Sequence, residues 1–127
     1  MFYLRVMPAT AQPAMKQTRL MDIAGNQRPD VLSRYRFGGY LDRNRFGVVA
    51  VETSGTATTP RSVTQLFLSG EIWGISTQFF TTYREHLVIP TTLLENIYRR
   101  VLPNYCDILS KGIGIAPVPV ANLLVGG

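Results

Sequence analysis

The chain has 127 residues, 46% of them hydrophobic and 17% charged, with a formal net charge of +5. That is the size of one domain, with enough apolar material for one core and too little charge for a disordered chain. One cysteine, Cys106, excludes an internal disulfide, and together with the one histidine, His86, it falls short of the three or four ligands of an ordinary zinc site.

From the N-terminus, "FYLRVM" reads as a strand, Phe2 to Met7, stopped by Pro8. The mixed stretch that follows carries Pro13, Gly25, Asn26 and Pro29 as breakers, with room for a short helix around Met15–Ala24. Gly38-Gly39 and Asp42-Arg43-Asn44 are turn material, and Phe46 to Glu52 is a β-branched run. After the polar loop Thr53 to Ser62 comes "VTQLFLSGEIWGIS", residues 63–76, which predicts a hairpin closed by a two-residue turn at Ser69-Gly70. That turn pairs Leu66 with Trp73, so Leu66, Leu68, Trp73 and Ile75 share one face, and Val63, Phe67 and Ile72 the other. Both faces are apolar, and Glu71 stands where the hairpin meets water.

"FFTTYREHLVIP" fits a strand-to-helix link or a short helix from Thr81. Beyond Pro90, Thr92-Leu93-Leu94-Glu95 matches a capping box, and Leu94, Ile97, Tyr98, Val101, Leu102, Tyr105, Ile108 and Leu109 recur at helical spacing. Glu95 and Arg99 stand four apart in the favourable order. Pro103 either kinks this helix or opens a second one, and Gly112 is a natural stop. An extended edge segment then leads to a strand near Val120–Val125. The expected fold is α+β, a single domain over 1–127, with a mainly antiparallel sheet, a central hairpin (63–76) and one long helix (92–111) packed on it.

The chemistry-bearing residues are sparse. Asp22, Asp30, Asp42, Glu52, Glu71, Glu85, Glu95 and Asp107 are scattered, with no pair at metal-binding spacing, and no phosphate-binding loop or nucleophile elbow is present. "KGIGIAP" has two glycines but follows a helix, whose C-terminus repels anions. No metal and no cofactor is expected, and the balance leans away from an enzyme. The remaining enzyme or sensor reading is a pocket near Glu71, Tyr83 and His86, or a Cys106–His86 pair.

Eleven of the thirteen basic residues are arginine. Arg34, Arg36, Arg43 and Arg45 alternate with Tyr35, Phe37, Tyr40 and Phe46, the mixture of charge and rings that suits single-stranded nucleic acid. The same alternation in a strand puts rings inward and arginines into water. The apolar hairpin offers a second surface, with Leu66, Trp73 and Ile75 as candidate contacts for a protein partner or a second copy. No apolar run reaches membrane-spanning length, and Arg5 interrupts the N-terminal run, so a cytoplasmic protein with no membrane contact is expected.

"VTQLFLSGEIWGI" and "HLVIPTTLLENIYRRVLPNYCDILSKGIGIAPVPVANLLVGG" together resemble the C-terminal companion domain of bacterial proteins whose front domain is a Schlafen/AlbA-type DNA-binding, ATP-binding domain. The positions that carry the resemblance are Gln65, Leu66, Phe67, Gly70, Glu71 and Ile72, then Gly114-Ile115, Pro117 and Leu123 to Gly126. Where that family has an arginine after the phenylalanine, this chain has Leu68. The resemblance implies a non-catalytic accessory domain that binds a partner or supports assembly, and it carries over no catalytic residue. Direct nucleic-acid binding through the arginine-rich strand is the alternative.

Overall fold

The computed structural model describes residues 1–10, 12–33, 39–53, 59–78 and 80–115, and the backbone of 120–125. Strand β1 (Phe2–Met7) is followed by helix α1 (Gln17–Asn26), then β2 (Tyr40–Asn44), β3 (Gly47–Thr53), β4 (Pro60–Phe67) and β5 (Ile72–Ser76). A small hairpin, β6 (Thr81–Tyr83) and β7 (His86–Val88), precedes a long helix α2 over residues 91–113, and β8 (Val120–Val125) comes last. Six strands form one sheet in the order β2-β3-β4-β5-β1-β8, every neighbouring pair antiparallel. The architecture is the expected α+β one, a sheet with a long helix laid on it.

Alternation along the strands decides which face the helices cover. In β1, Phe2, Leu4 and Val6 are buried while Tyr3, Arg5 and Met7 are not. They join Val48, Leu66 and Ile72 from the sheet, Leu20 and Ala24 from α1, and Leu93, Ile97, Val101, Tyr105, Ile108 and Leu109 from α2 in one core. Each large side chain taken out of water here contributes about 1.5–3 kcal/mol. Every buried residue of the two helices belongs to this one cluster.

A polar seam crosses the core. Thr64 Oγ1 lies 2.7 Å from the Tyr105 hydroxyl and 2.7 Å from the Asp30 carbonyl oxygen, which it donates to. Arg100 of α2 reaches Asp30 Oδ1 at 3.0 Å and the Ser33 carbonyl at 2.7 Å, and Asn104 Oδ1 accepts from the Asp30 amide at 2.8 Å. Segment 28–33 is thereby fastened to helix and sheet without secondary structure of its own, its buried backbone groups satisfied by side chains.

Several local expectations shift. The Ser69-Gly70 turn is one residue longer than expected: Phe67 N–H donates to the Glu71 carbonyl, and Gly70 takes φ +86°, closing a three-residue loop. The register moves by one, pairing Leu66 with Ile72 and Gln65 with Trp73. A one-residue slip exchanges faces, so Leu66 lies in the core beside Ile72, opposite Trp73 and Ile75.

Segment 81–88 is a hairpin, with Arg84 and Glu85 both at positive φ as a tight two-residue turn of this hand requires. Helix α1 sits two residues later than expected. In α2 no side-chain cap forms at Thr92; the helix begins at Thr91 behind Pro90, whose fixed φ sets the entry.

Residues Ile97–Val101 and Ile108–Ile113 of α2 form wide π turns. The first lies just ahead of Pro103, which cannot donate to the preceding turn. The wider pitch swings Tyr98 out to 59% exposure. Asp107 and Lys111, four apart, meet at 3.4 Å. Gly112 does not stop the helix. A Cβ there would stand 2.7 Å from Ile23 Cγ2, so its role is the close approach of α1; the stop is Gly114, at φ +87°.

Candidate functional site: the open face of the sheet

The face away from the helices presents two cross-strand rows. The first runs Tyr40, Val51, Val63, Ile75, Tyr3 across β2, β3, β4, β5 and β1. The second runs Asp42, Val49, Gln65, Trp73, Arg5 over the same strands. Tyr3, Arg5, Val49, Val63, Trp73 and Ile75 are half-buried, and none of them belongs to the helix-covered core cluster.

At the end of the face nearest the β2–β3 and β4–β5 turns the rings gather. Phe46 and Phe67 have centroids 6.2 Å apart, and Phe67 and Trp73 5.4 Å, both tilted. The Arg45 guanidinium lies 4.6 Å from the Phe46 centroid, and that of Arg5 5.0 Å from Trp73. The order across the sheet is therefore cation, ring, ring, ring, cation.

Glu71 has a structural place in this ladder. Arg5 donates to both its carboxylate oxygens, at 3.1 and 3.2 Å, and Trp73 Nε1 donates to Oε2 at 2.8 Å. One carboxylate therefore fixes the orientation of the indole and neutralises the cation above it. A cleft of about 190 Å³ lies between Tyr3, Arg5 and Trp73, with Leu4 and Gly74 completing its lining. Arg5 was not singled out from the sequence, although its alternation with Phe2, Leu4 and Val6 is the signal that places it on this face.

The predicted site residues separate. Of the partner-contact set, Trp73 and Ile75 stand on the open face, but Leu66 is 1% exposed and belongs to the core. Arg43 and Arg45 are exposed on β2 and the following turn; Arg34 and Arg36 lie outside the described residues. The Glu71, Tyr83, His86 grouping is not assembled. Tyr83 and His86 pair on the exposed β6–β7 hairpin, beyond the far end of β5 from Glu71, whose cleft is lined instead by Met7, Pro8, Thr10, Gln12 and Ser69.

Burial, followed by the neighbouring Asp107 carboxylate, pushes the Cys106 thiol above its ordinary range, the opposite of what an activated nucleophile needs. Among the described residues no three His, Cys, Asp or Glu side chains converge, and no helix is long and apolar enough to cross a membrane.

No protein-family model, curated protein or solved structure matches the chain.

Proposed function

We propose that this chain is a non-catalytic accessory domain that docks a protein partner through its open sheet face, and that a second copy of the chain is the partner this face fits. The observation that carries the reading is the pair of rows. Over the five strands β2 to β1, the first has a tyrosine on β2, another on β1 and aliphatic residues between. Over the same strands the second runs from Asp42 to Arg5, and β8 continues both rows beyond β1. A two-fold axis along β4 through Val63 and Gln65 lays tyrosine beside tyrosine and Asp42 of one copy beside the Arg5–Glu71 pair of the other, with β8 outside the matched strands. That is the self-complementarity a symmetric interface requires.

An apolar sheet face left in water is a docking surface or an aggregation liability, and Asp42 and Arg5 of the second row limit the latter. The companion-domain resemblance of residues 35–127 points the same way, toward assembly and not catalysis. Six strands spaced about 4.8 Å apart make this face, and the rows match over five of them, so the expected dimer is weak, with a dissociation constant in the micromolar range.

Sedimentation velocity over a wide concentration range should show a monomer passing to a dimer. Ile75→Lys should hold the protein monomeric while leaving its circular dichroism unchanged, because Ile75 lies outside the helix-covered core. A native protein that stays monomeric at several hundred micromolar, or an Ile75→Lys variant that associates as strongly, would sink the proposal.

A further inference from the structure

A second site stands where the β2–β3 turn, at the end of the ring ladder, meets the start of α1. Gln17 Nε2 donates to the carbonyls of Asn44 at 2.6 Å and Gly47 at 3.1 Å, clamping the first turn of α1 onto this hairpin. Met15 N–H donates to the Leu68 carbonyl, and Leu68 N–H to the Phe46 carbonyl. Lys16, between Met15 and Gln17, is thereby held beside the turn that carries Arg43, Arg45 and Phe46. All four are exposed, and neither Lys16, Arg43 nor Arg45 is ion-paired with a described residue. The nearest acid along the chain, Asp42, accepts the Arg43 backbone N–H at 2.7 Å.

The turn is rigid. Asn44 Oδ1 accepts from the amides of Phe46 and Gly47, both at 3.0 Å, and Asn44 Nδ2 donates to Gln65 Oε1 at 2.6 Å. Phe46 is 47% exposed, with the Arg45 guanidinium over its ring.

We infer that this corner binds single-stranded nucleic acid, with Lys16, Arg43 and Arg45 on phosphates and Phe46 as the surface on which a base stacks. The chemistry selects this class. Three free cations on a preorganised corner attract a polyanion, and the protein as a whole carries +5. An exposed ring joined to an arginine plane offers a flat apolar surface, which an unstacked base matches and an acidic peptide or a duplex edge does not. Arg5, neutralised by Glu71, is not counted among the phosphate contacts. Lys16 and Arg43 lie outside the two rows of the dimer face, whereas Arg45 and Phe46 stand at the end of its ring ladder.

The test is fluorescence anisotropy with a labelled twenty-nucleotide oligothymidylate, the same length of duplex, and polyglutamate as competitor. The single strand should bind at low salt, with affinity falling as salt rises at a log–log slope of about −2, as roughly three single-strand phosphate contacts give. The double variant Arg43→Glu/Arg45→Glu and the single variant Lys16→Glu should each weaken binding at least tenfold. Phe46→Ala should weaken it about tenfold while leaving the salt slope unchanged.

Arg99→Glu, a reversal on exposed α2, is the control and should have little effect; circular dichroism confirms that each variant is folded. The inference fails if no salt-sensitive binding is seen, if Arg99→Glu costs as much as the corner variants, if Phe46→Ala is silent, or if polyglutamate or duplex competes as well as the single strand. Ile75→Lys, which disrupts the proposed dimer, should bind the oligonucleotide as the native chain does, so either proposal can fail while the other stands.

Discussion

Replacing Tyr105 with alanine is expected to remove about 3–5 kcal/mol of unfolding free energy, the range for emptying a fully buried aromatic site. For a domain whose total is roughly 5–15 kcal/mol that is a large share. Tyr105 is 0% exposed and sits between α2 and β5, its hydroxyl seated against Gly74, where a Cβ would stand 2.5 Å from Oη. The ring fills the core and the hydroxyl ends the polar seam at Thr64.

Two milder variants separate these contributions. Thr64 gives its own proton to the Asp30 carbonyl, so the tyrosine is the donor between them. Tyr105→Phe removes that donor yet leaves the threonine proton satisfied, and should cost only about 1 kcal/mol. Thr64→Val strands both the tyrosine hydroxyl and the Asp30 carbonyl, and should cost about 1–3 kcal/mol or more. A urea titration that ranks Tyr105→Phe as the more damaging of the two would refute this hydrogen-bond assignment.

The same residue sets a pH dependence. Burial raises the Tyr105 hydroxyl well above the ordinary tyrosine value near 10. In the unfolded chain the phenol ionises near pH 10, whereas in the folded protein it stays neutral to higher pH. Its contribution to stability is therefore complete below about pH 10 and is lost as pH rises above that value. Tyr105→Phe should flatten this alkaline loss.

Gly47→Ala is expected to be comparably severe, at about 3 kcal/mol or more, seen as a fall in Tm of roughly ten degrees or more. Gly47 has φ +147°, which L side chains rarely adopt, and a Cβ there would lie 2.1 Å from the Leu66 carbonyl oxygen. That oxygen belongs to the backbone of β4, so relief requires parting β3 from β4 at the turn that Asn44 and Gln17 hold. Gly25→Ala is the matched control, since nothing lies within 4 Å of a Cβ at that position. It should be neutral or slightly stabilising, because alanine favours a helix. Equal melting temperatures for the Gly47 and Gly25 variants would overturn this account of the turn.

Periodicity made most of the architecture readable. Phe2–Met7 and Val120–Val125 form strands with the bounds their composition announced, and Ile97, Val101, Tyr105 and Ile108 mark the buried face of α2. What escaped was set by single-residue geometry. A three-residue loop at Leu68–Gly70 in place of a two-residue one is invisible to composition, yet it exchanges Leu66 for Phe67 on the open face. The hairpin at 81–88 was hidden because its turn uses Arg84 and Glu85 where Asn or Gly would have signalled it.

The site was less legible than the fold. Trp73 and Ile75 were placed among candidate contacts, but Arg5 and Lys16 join the surfaces proposed here only through distant segments, which no local pattern records. The Arg5–Glu71 clamp spans 66 positions, and the clamp of Gln17 on Asn44 spans 27.

The position of β1 bears on how the chain acquires its fold. This strand lies between β5 and β8, so both its neighbours are synthesised long after it. While it emerges from the ribosome its backbone amides and its Phe2, Leu4 and Val6 side chains have no neighbours to meet. Such late closure slows productive collapse and gives chaperones a window in which to bind the nascent chain.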